Sequence, residues 1–273
     1  MVNRHVYFDT ATLYYRAFYA VPETITAPDG TPNGAVRSFF EMTGTLLKTY
    51  PPSELVFAWD DDWRPDWRVK LVPTYKTHRV EDEDAGTEGV PDLLSPQIGA
   101  IADILDAIGL ARIGARGHEA DDILGSLVYQ RTGPMDVITG DRDLFQLVND
   151  ANDVRVISIT KGMKNLEHID DAFLLNKYGV SGKQYVDFAT LRGDASDGLP
   201  GVKGVGEKTA SALISTFNDL ETLVQAAKDD HADIKAGVKQ KLIEHDAYIT
   251  KAKKVVTVRN DAKLPANLSV PTK

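Results

Sequence analysis

Nine acidic side chains are spaced along this sequence so that they can share one task. Asp9, Asp60 and Asp141 each close a short apolar run: Val6-Tyr7-Phe8, Leu55 to Trp59, and Val137 to Gly140. Glu119, Asp121 and Asp122 fall in GHEADDILGSLV, Asp143 follows Asp141 in TGDRDLFQL, and Asp194 and Asp197 lie in RGDASDGLPG. An acid closing an apolar strand is costly unless it is hydrogen-bonded or metal-bound. With almost no histidine nearby and no cysteine in the chain, the donors are hard oxygens, which suit Mg²⁺, Mn²⁺ or Ca²⁺ and not zinc. Packed carboxylates raise one another's pKa, so a cation must compensate them. Two such ions about 4 Å apart could activate water and stabilise a leaving oxygen in phosphodiester hydrolysis. Taken singly, Asp121, Asp122 and Asp143 also suit helix caps, and Asp194 and Asp197 suit turn formers before Gly198 and Pro200. Asp61 and Asp62 read as solvated neighbours of Asp60.

Two other stretches carry binding chemistry. Gly201-Val202-Lys203-Gly204-Val205-Gly206-Glu207-Lys208-Thr209-Ala210 has the form of a helix–hairpin–helix turn. Its glycines allow close approach to a phosphate, and the following helix points N–H groups and a positive dipole at the anion. Lys203 and Lys208 add charge without reading bases. An ordinary tight turn is the simpler alternative. Between residues 63 and 79, Arg64, Arg68, Lys70, Lys76 and Arg79 alternate with Trp63, Trp67, Tyr75 and His78. Such mixing suits single-stranded nucleic acid, or else a solvated amphipathic helix anchored by Trp63 and Trp67. Arg16 in LYYRAFYA is a further candidate near the first Asp.

The elements that must hold these groups follow from periodicity. The three apolar runs are β-branched and aromatic, and apolar on both faces, as in buried strands of a parallel sheet. Helical patterns lie between them, over Val36 to Tyr50, Pro96 to Ile108 and Glu119 to Tyr129. Alternation of this kind predicts an α/β fold with a mostly parallel central sheet flanked by helices. Ligands then bind at the carboxyl ends of the strands, where the three Asp residues converge. From about Asp170 the pattern is helical: Asp171 to Tyr178, Ser181 to Leu191, Lys208 to Phe217, Asp219 to Ala227 and Gly237 to Ala252. The expected division is residues 1–170 and 171–273, with the hairpin at about 198–217. Arg79 to Leu93 is acidic and aperiodic, and reads as a mobile loop.

Composition sets the outer limits. Of 273 residues, 42% are apolar, enough for a sizeable core. The absence of cysteine removes disulfides, zinc–thiolate sites and thiol nucleophiles. The first residues do not form a signal peptide and no segment approaches the roughly 20 apolar residues of a membrane span, so a cytoplasmic protein is expected. The net charge of −9 argues at first against a nucleic-acid partner, but setting the nine acids aside leaves 31 acidic against 31 basic residues.

Together the motifs YRAFYA, Trp59-Asp60, YKTHR, GHEADD, TGDRDLFQL and GDASDGLPGVKGVGEKTA resemble one family, in family order over residues 6–260. They are similar to the 5′ nuclease domain of bacterial DNA polymerase I and to stand-alone bacterial and phage flap endonucleases. The resemblance implies a Mg²⁺-dependent 5′→3′ exonuclease and flap endonuclease of DNA replication and repair, with Mn²⁺ able to substitute. It places metal carboxylates at Asp9, Asp60, Glu119, Asp121, Asp122, Asp141, Asp143, Asp194 and Asp197. Lys76, Arg79 and Arg68 become the catalytic cations of a helical arch or clamp over residues 62–95. Arg16, Lys70, Gly201, Lys203, Gly204, Gly206, Lys208 and Thr209 become DNA contacts, with a monovalent cation at the hairpin. The implied partner is DNA with a 5′ flap, nick or free 5′ end, bound by a monomer linked in function to a DNA polymerase and associated with the nucleoid. An RNA-primer substrate stays open, since no motif here reads a 2′-hydroxyl. The chain departs from the family at Thr10, where glycine is usual, and by one extra residue between Asp60 and Arg68. With no polymerase region following, a free-standing nuclease is expected. A haloacid-dehalogenase-type phosphatase would need a second Asp where this chain has Ala11, and the complete acidic set argues against a non-catalytic module for branched DNA.

Overall fold

Alternation of side chains along the inner strands explains the layering. Val6, Phe8, Leu55, Phe57, Ile138 and Ile157 face one apolar cluster, while Tyr7, Val56, Ala58, Val137 and Val156 face the other. Strands apolar on both faces need cover on both, and helices supply it. The computed structural model describes residues 4–82, 87–266 and 268. In order the elements are β1 (Arg4–Asp9), α1 (Thr10–Tyr19), α2 (Gly34–Thr49), β2 (Pro52–Ala58), α3 (Asp66–Leu71), β3 (Val80–Asp82), β4 (Thr87–Glu88), α4 (Ser95–Ala107), β5 (Ala111–Ile113) and α5 (Ala120–Gln130). There follow β6 (Met135–Thr139), β7 (Val154–Ser158), β8 (Glu167–Ile169), α6 (Asp171–Tyr178), α7 (Gly182–Arg192), α8 (Glu207–Phe217), α9 (Leu220–Lys228), α10 (Ala236–Glu244) and α11 (Asp246–Val256).

The main sheet has the order β5-β2-β1-β6-β7-β8 and is parallel except for β8, which runs antiparallel to β7. From the central β1 the chain moves outward in one direction to β2 and in the other to β6. That reversal is where an open α/β sheet makes a crevice at the carboxyl ends of its strands. Asp9 ends β1, while Asp60 and Asp141 each lie two residues past β2 and β6. Three adjacent strands therefore deliver three acids to one edge.

The elements differ from expectation in several places. Gly237 to Ala252 is not one helix: α10 and α11 break at His245, whose ring Nδ1 lies 2.8 Å from the Lys241 carbonyl. The acidic stretch after Arg79 is not structureless, because Val80 and Asp82 pair with Glu88 and Thr87 as an antiparallel ribbon. The rest of that expected loop, residues 83–86, lies outside the described residues. The segment expected as an arch contains α3, a turn of 3₁₀-helix at Thr77–Arg79 and this ribbon. Asp136, inside β6, is an acid that the apolar pattern did not reveal; it is buried and paired with Arg4 and Arg155, each at 2.7 Å.

Phe57 is fully buried on β2, stacks on Phe8 with centroids 4.9 Å apart, and lies 6.1 Å from Phe39. Phe57→Ala should cost about 3–5 kcal/mol, read as a lower urea midpoint at unchanged slope. A loss below about 1 kcal/mol would show that this face repacks and does not fix the strand ends.

Candidate active site

Local chain chemistry fixes each acid before any ligand is considered. Asp9 is both the end of β1 and the N-cap of α1. Its carboxylate accepts from Thr12 N–H at 3.1 Å, from the Thr12 hydroxyl, and from the Thr139 hydroxyl at 2.6 Å. Asp60 accepts from Ala120 N–H at 2.7 Å, which ties the end of β2 to the first turn of α5. Thr139 also accepts from Asp141 N–H, and Asp141 from Asp143 N–H, both at 2.8 Å. Asp194 accepts from Ser196 N–H at 2.8 Å and stands 3.5 Å from Arg192.

These residues surround a cavity of about 440 Å³ whose wall includes Asp9, Asp60, Glu119, Asp121, Asp141 and Asp194, with Lys76 and Arg79. Asp143 and Asp197 do not line it but are coupled electrostatically to it. Burial pushes the Asp141 carboxyl up to about 6, with Asp197 and Asp9 adding to the effect. Burial raises Asp121 well above the ordinary range, helped by Asp141 and Asp9. It does the same for Asp143, helped by Asp141, Asp197 and Asp194. Burial opposes the Lys76 charge, but Glu119, Asp197 and Asp60 outweigh it and hold the ammonium above the usual lysine range.

Glu119 and Asp122 form a capping box at the start of α5. Glu119 accepts from Arg68 at 2.6 Å, from the Tyr75 hydroxyl at 2.7 Å and from the Lys76 ammonium. Asp122 departs from the metal set expected of it. It is fully buried, and each of its oxygens already accepts two hydrogen bonds. One takes Arg68 at 2.7 Å and Arg259 N–H at 2.8 Å; the other takes Arg68 at 2.8 Å and Glu119 N–H at 3.0 Å. Although burial works against it, the contacts from Arg68 lower its pKa. Arg68 departs likewise from its expected catalytic place. Its guanidinium is 2% exposed, lies 4.5 Å from the Trp67 ring, and is consumed by Glu119, Asp122 and the Val255 carbonyl. It positions Glu119 and does not face the cavity.

The other named residues fall as follows. Arg79 donates to the Ser196 carbonyl and the Asp197 carboxylate, both at 2.8 Å. Arg16, in the last turn of α1, donates to the Thr160 carbonyl at 2.9 Å and borders a shallow neighbouring cavity. Lys70 is exposed on α3. Gly201, Lys203, Gly204 and Gly206 lie between α7 and α8, and Lys208 and Thr209 lie in the first turn of α8. Gly201 is at φ +65, and a Cβ there would meet Gly193 N at 2.6 Å, so only glycine fits. Sequence reasoning missed Glu88, a further acid in the cavity wall, raised by burial and by Asp60. It missed Thr12, Thr139 and Tyr75 as donors to the acids, although Thr12 three residues past Asp9 is a legible capping pattern.

The acids fit a divalent cation by chemistry. All donors are carboxylate oxygens, and the buried Asp143 Oδ1 has no hydrogen-bond partner. Among the described residues, no three acids are gathered closely enough to hold an ion as they lie, and Asp9, Asp60 and Glu119 each accept hydrogen bonds from local donors.

Two family models cover nearly the whole chain. They are "5′-3′ exonuclease, N-terminal resolvase-like domain" over residues 4–179 and "5′-3′ exonuclease, C-terminal SAM fold" over residues 180–271. A 5′-3′ exonuclease of Streptomyces coelicolor is 50% identical over 260 residues, covering 94% of this chain and 86% of that protein. One of Mycobacterium tuberculosis is 44% identical over 277 residues, covering 98% and 86%. DNA polymerase I of Mycobacterium bovis is 38% identical over 220 residues, which is 79% of this chain but 23% of the polymerase. Among solved structures, T5 5′-exonuclease with divalent zinc bound superposes with a TM-score of 0.71 at 20% identity, covering 93% of this chain and 89% of that one. The catalytic core of Rad2 in complex with DNA substrate gives 0.60 at 20% identity, covering 95% and 81%. At such identities the structures share the fold.

The raised carboxyl of Asp141 binds its proton more tightly in the folded chain than in the unfolded one. Its contribution to stability is therefore fully present below about pH 4 and lost as pH rises through about 6. Asp143→Asn removes one of the repelling charges. In EDTA at about pH 7.5 it should stabilise the protein by about 1–2 kcal/mol, and the gain should shrink toward about pH 5. Thermal melts across that range check this; a variant less stable than the parent at the higher pH would contradict it.

Proposed function

Since the chain belongs to the 5′-3′ exonuclease family, we propose that it hydrolyses phosphodiester bonds in DNA bearing a free 5′ end, nick or 5′ flap, using Mg²⁺ held by the strand-end carboxylates. The observation that carries this is the convergence of Asp9, Asp60, Asp121 and Asp141 on one cavity that also receives the Lys76 ammonium. Asp9, Asp60, Glu119, Asp121, Asp141 and Asp143 form the inner ligand set, and Asp194 with Asp197 a second position. A divalent ion there supplies Lewis acidity toward water and phosphate oxygen. The chain's own groups do the rest. Lys76 and Arg79 sit where phosphate charge grows, so they favour the transition state over the bound substrate. Thr12 and Thr139 hold the Asp9 carboxylate in place. Arg68 and Tyr75 fix Glu119, leaving its Lys76 contact directed at the cavity.

In this reading residues to about 170 carry the chemistry, and those from 171 onward grip duplex. The glycines at 201, 204 and 206 let the backbone approach phosphate, the start of α8 faces it with N–H groups, and Lys203 and Lys208 are exposed beside it. Thr209, Arg16 and Lys70 add polar contacts along the path, and a monovalent cation at the hairpin serves the same phosphates. Mn²⁺ replaces Mg²⁺. The protein acts as a monomer in the cytoplasm, at the nucleoid, alongside a DNA polymerase. Among the described residues no helix is long and apolar enough to cross a membrane.

A labelled 5′-flap duplex with product mapping tests this. Cleavage should need Mg²⁺ or Mn²⁺ and stop in EDTA. Asp141→Asn should lose at least about a hundredfold in rate while still binding DNA. Full activity in EDTA would refute the metal reading. The cations should divide by role. Lys76→Ala should cut the single-turnover rate far more than affinity measured in Ca²⁺. Lys208→Ala should weaken affinity and lower the salt slope by about one, with little change in rate. The reverse division would overturn the assignment.

A further inference from the structure

The segment that carries Lys76 and Arg79 is docked against the turn that leads into the glycine-rich hairpin. The Thr74 hydroxyl donates to the Gly198 carbonyl at 2.7 Å. The Lys76 N–H donates to the Asp197 carbonyl at 2.9 Å. Gly198 sits at φ +69, and a Cβ there would lie 2.1 Å from the Thr74 carbonyl oxygen. Two pieces of chain far apart in sequence therefore meet backbone to backbone at a place that excludes any larger residue.

Both sides of this seam lead somewhere. On one side Lys76 holds a left-handed backbone, φ 49 and ψ 21, which a lysine adopts only when its surroundings impose it. Its N–H bond to Asp197 supplies that restraint, and its ammonium lines the acidic cavity. On the other side the turn is closed by two bonds of 2.8 Å between Asp194 and Leu199, and runs through Gly201 and Gly204 to the start of α8. Thr74 itself is exposed and lies outside the cavity wall. Its only side-chain hydrogen bond among the described residues is the one to Gly198.

We propose that Thr74 is a positioning residue. Its bond to Gly198 couples the hairpin, where duplex is gripped, to the placement of Lys76 in the cavity, so the lysine is set for catalysis by the same turn that leads to the DNA-binding glycines. This rests on the nuclease reading above. Loss of the Thr74 donor loosens the Gly198 turn next to the Asp197 carbonyl, so the restraint on the Lys76 backbone weakens and the ammonium drifts from the acids. The hairpin keeps its glycines and lysines, so its hold on duplex is untouched.

Thr74→Val removes the donor at nearly constant shape, and Thr74→Ser keeps it. Hydrogen exchange over residues 74–79 of the DNA-free protein reads the seam without any need for turnover. Affinity for a 5′-flap duplex in Ca²⁺ and single-turnover rate in Mg²⁺ read its consequence. For Thr74→Val, exchange should speed up about tenfold and the rate fall about tenfold, with affinity within about twofold. Thr74→Ser should match the parent. On a Lys76→Ala background, Thr74→Val should cost less than about twofold more, because it acts through that lysine. The proposal is overturned by unchanged exchange, by a rate loss repeated in full on Lys76→Ala, by Thr74→Ser failing as Thr74→Val does, or by a loss matching the unfolded fraction in a thermal melt. Absence of metal-dependent cleavage by the parent would sink the nuclease reading alone, because the exchange measurement still decides the seam.

Discussion

Carboxylates in this protein are forced together by a sheet that has no other way to pack. β2, β1 and β6 are buried on both faces, so an acid within them needs a charged partner, as Asp136 has in Arg4 and Arg155, and the others gather where the strands end. There burial, and after it their mutual repulsion, push the carboxyls of Asp121, Asp141 and Asp143 up. Everything around the cavity manages that repulsion. Hydroxyls of Thr12 and Thr139 bond Asp9, the first turn of α5 bonds Asp60, and Lys76 brings positive charge to Glu119. A hard cation is the remaining way to balance the charge, and the same balance is what hydrolysis of a phosphodiester needs.

Around this centre the protein separates holding from reacting. Arg68, Asp122 and the backbone of Arg259 form a closed knot in which every carboxylate oxygen is already bonded. That knot joins α3, α5 and the segment after α11, and it orients Glu119 toward the cavity. A buried pair of this kind is weak evidence for net stability, because desolvation offsets much of its attraction. Its service is geometric. Asp121, one residue before the knot, belongs to the cavity instead. Successive positions at the start of one helix thus take opposite roles.

The strands, the helices between them and the acids at their ends were legible because each rests on local chemistry: apolar runs closed by Asp, and helical periods bounded by caps. What was not legible depends on where a side chain points. The motif GHEADD places three acids together, but only folding decides that Asp122 turns inward to Arg68 while Asp121 faces the cavity. The family resemblance made Arg68 a cation of the arch, and residue type alone cannot distinguish a surface arginine from one sealed behind Trp67. Glu88 escaped notice because a two-residue strand in an acidic stretch has no period to read. α1 was not among the expected helices, although Leu13, Tyr14, Ala17 and Phe18 form its buried stripe. His245 broke one expected helix into two because nothing in its residue type announces a stop.

The most direct test of the account is where a divalent ion settles. Anomalous diffraction from crystals grown with Mn²⁺ locates it without reference to activity. Density is expected among Asp9, Asp60, Asp121 and Asp141, with none against Asp122. Mn²⁺ bound at Asp122, or absent from the strand ends at saturating concentration, would contradict it.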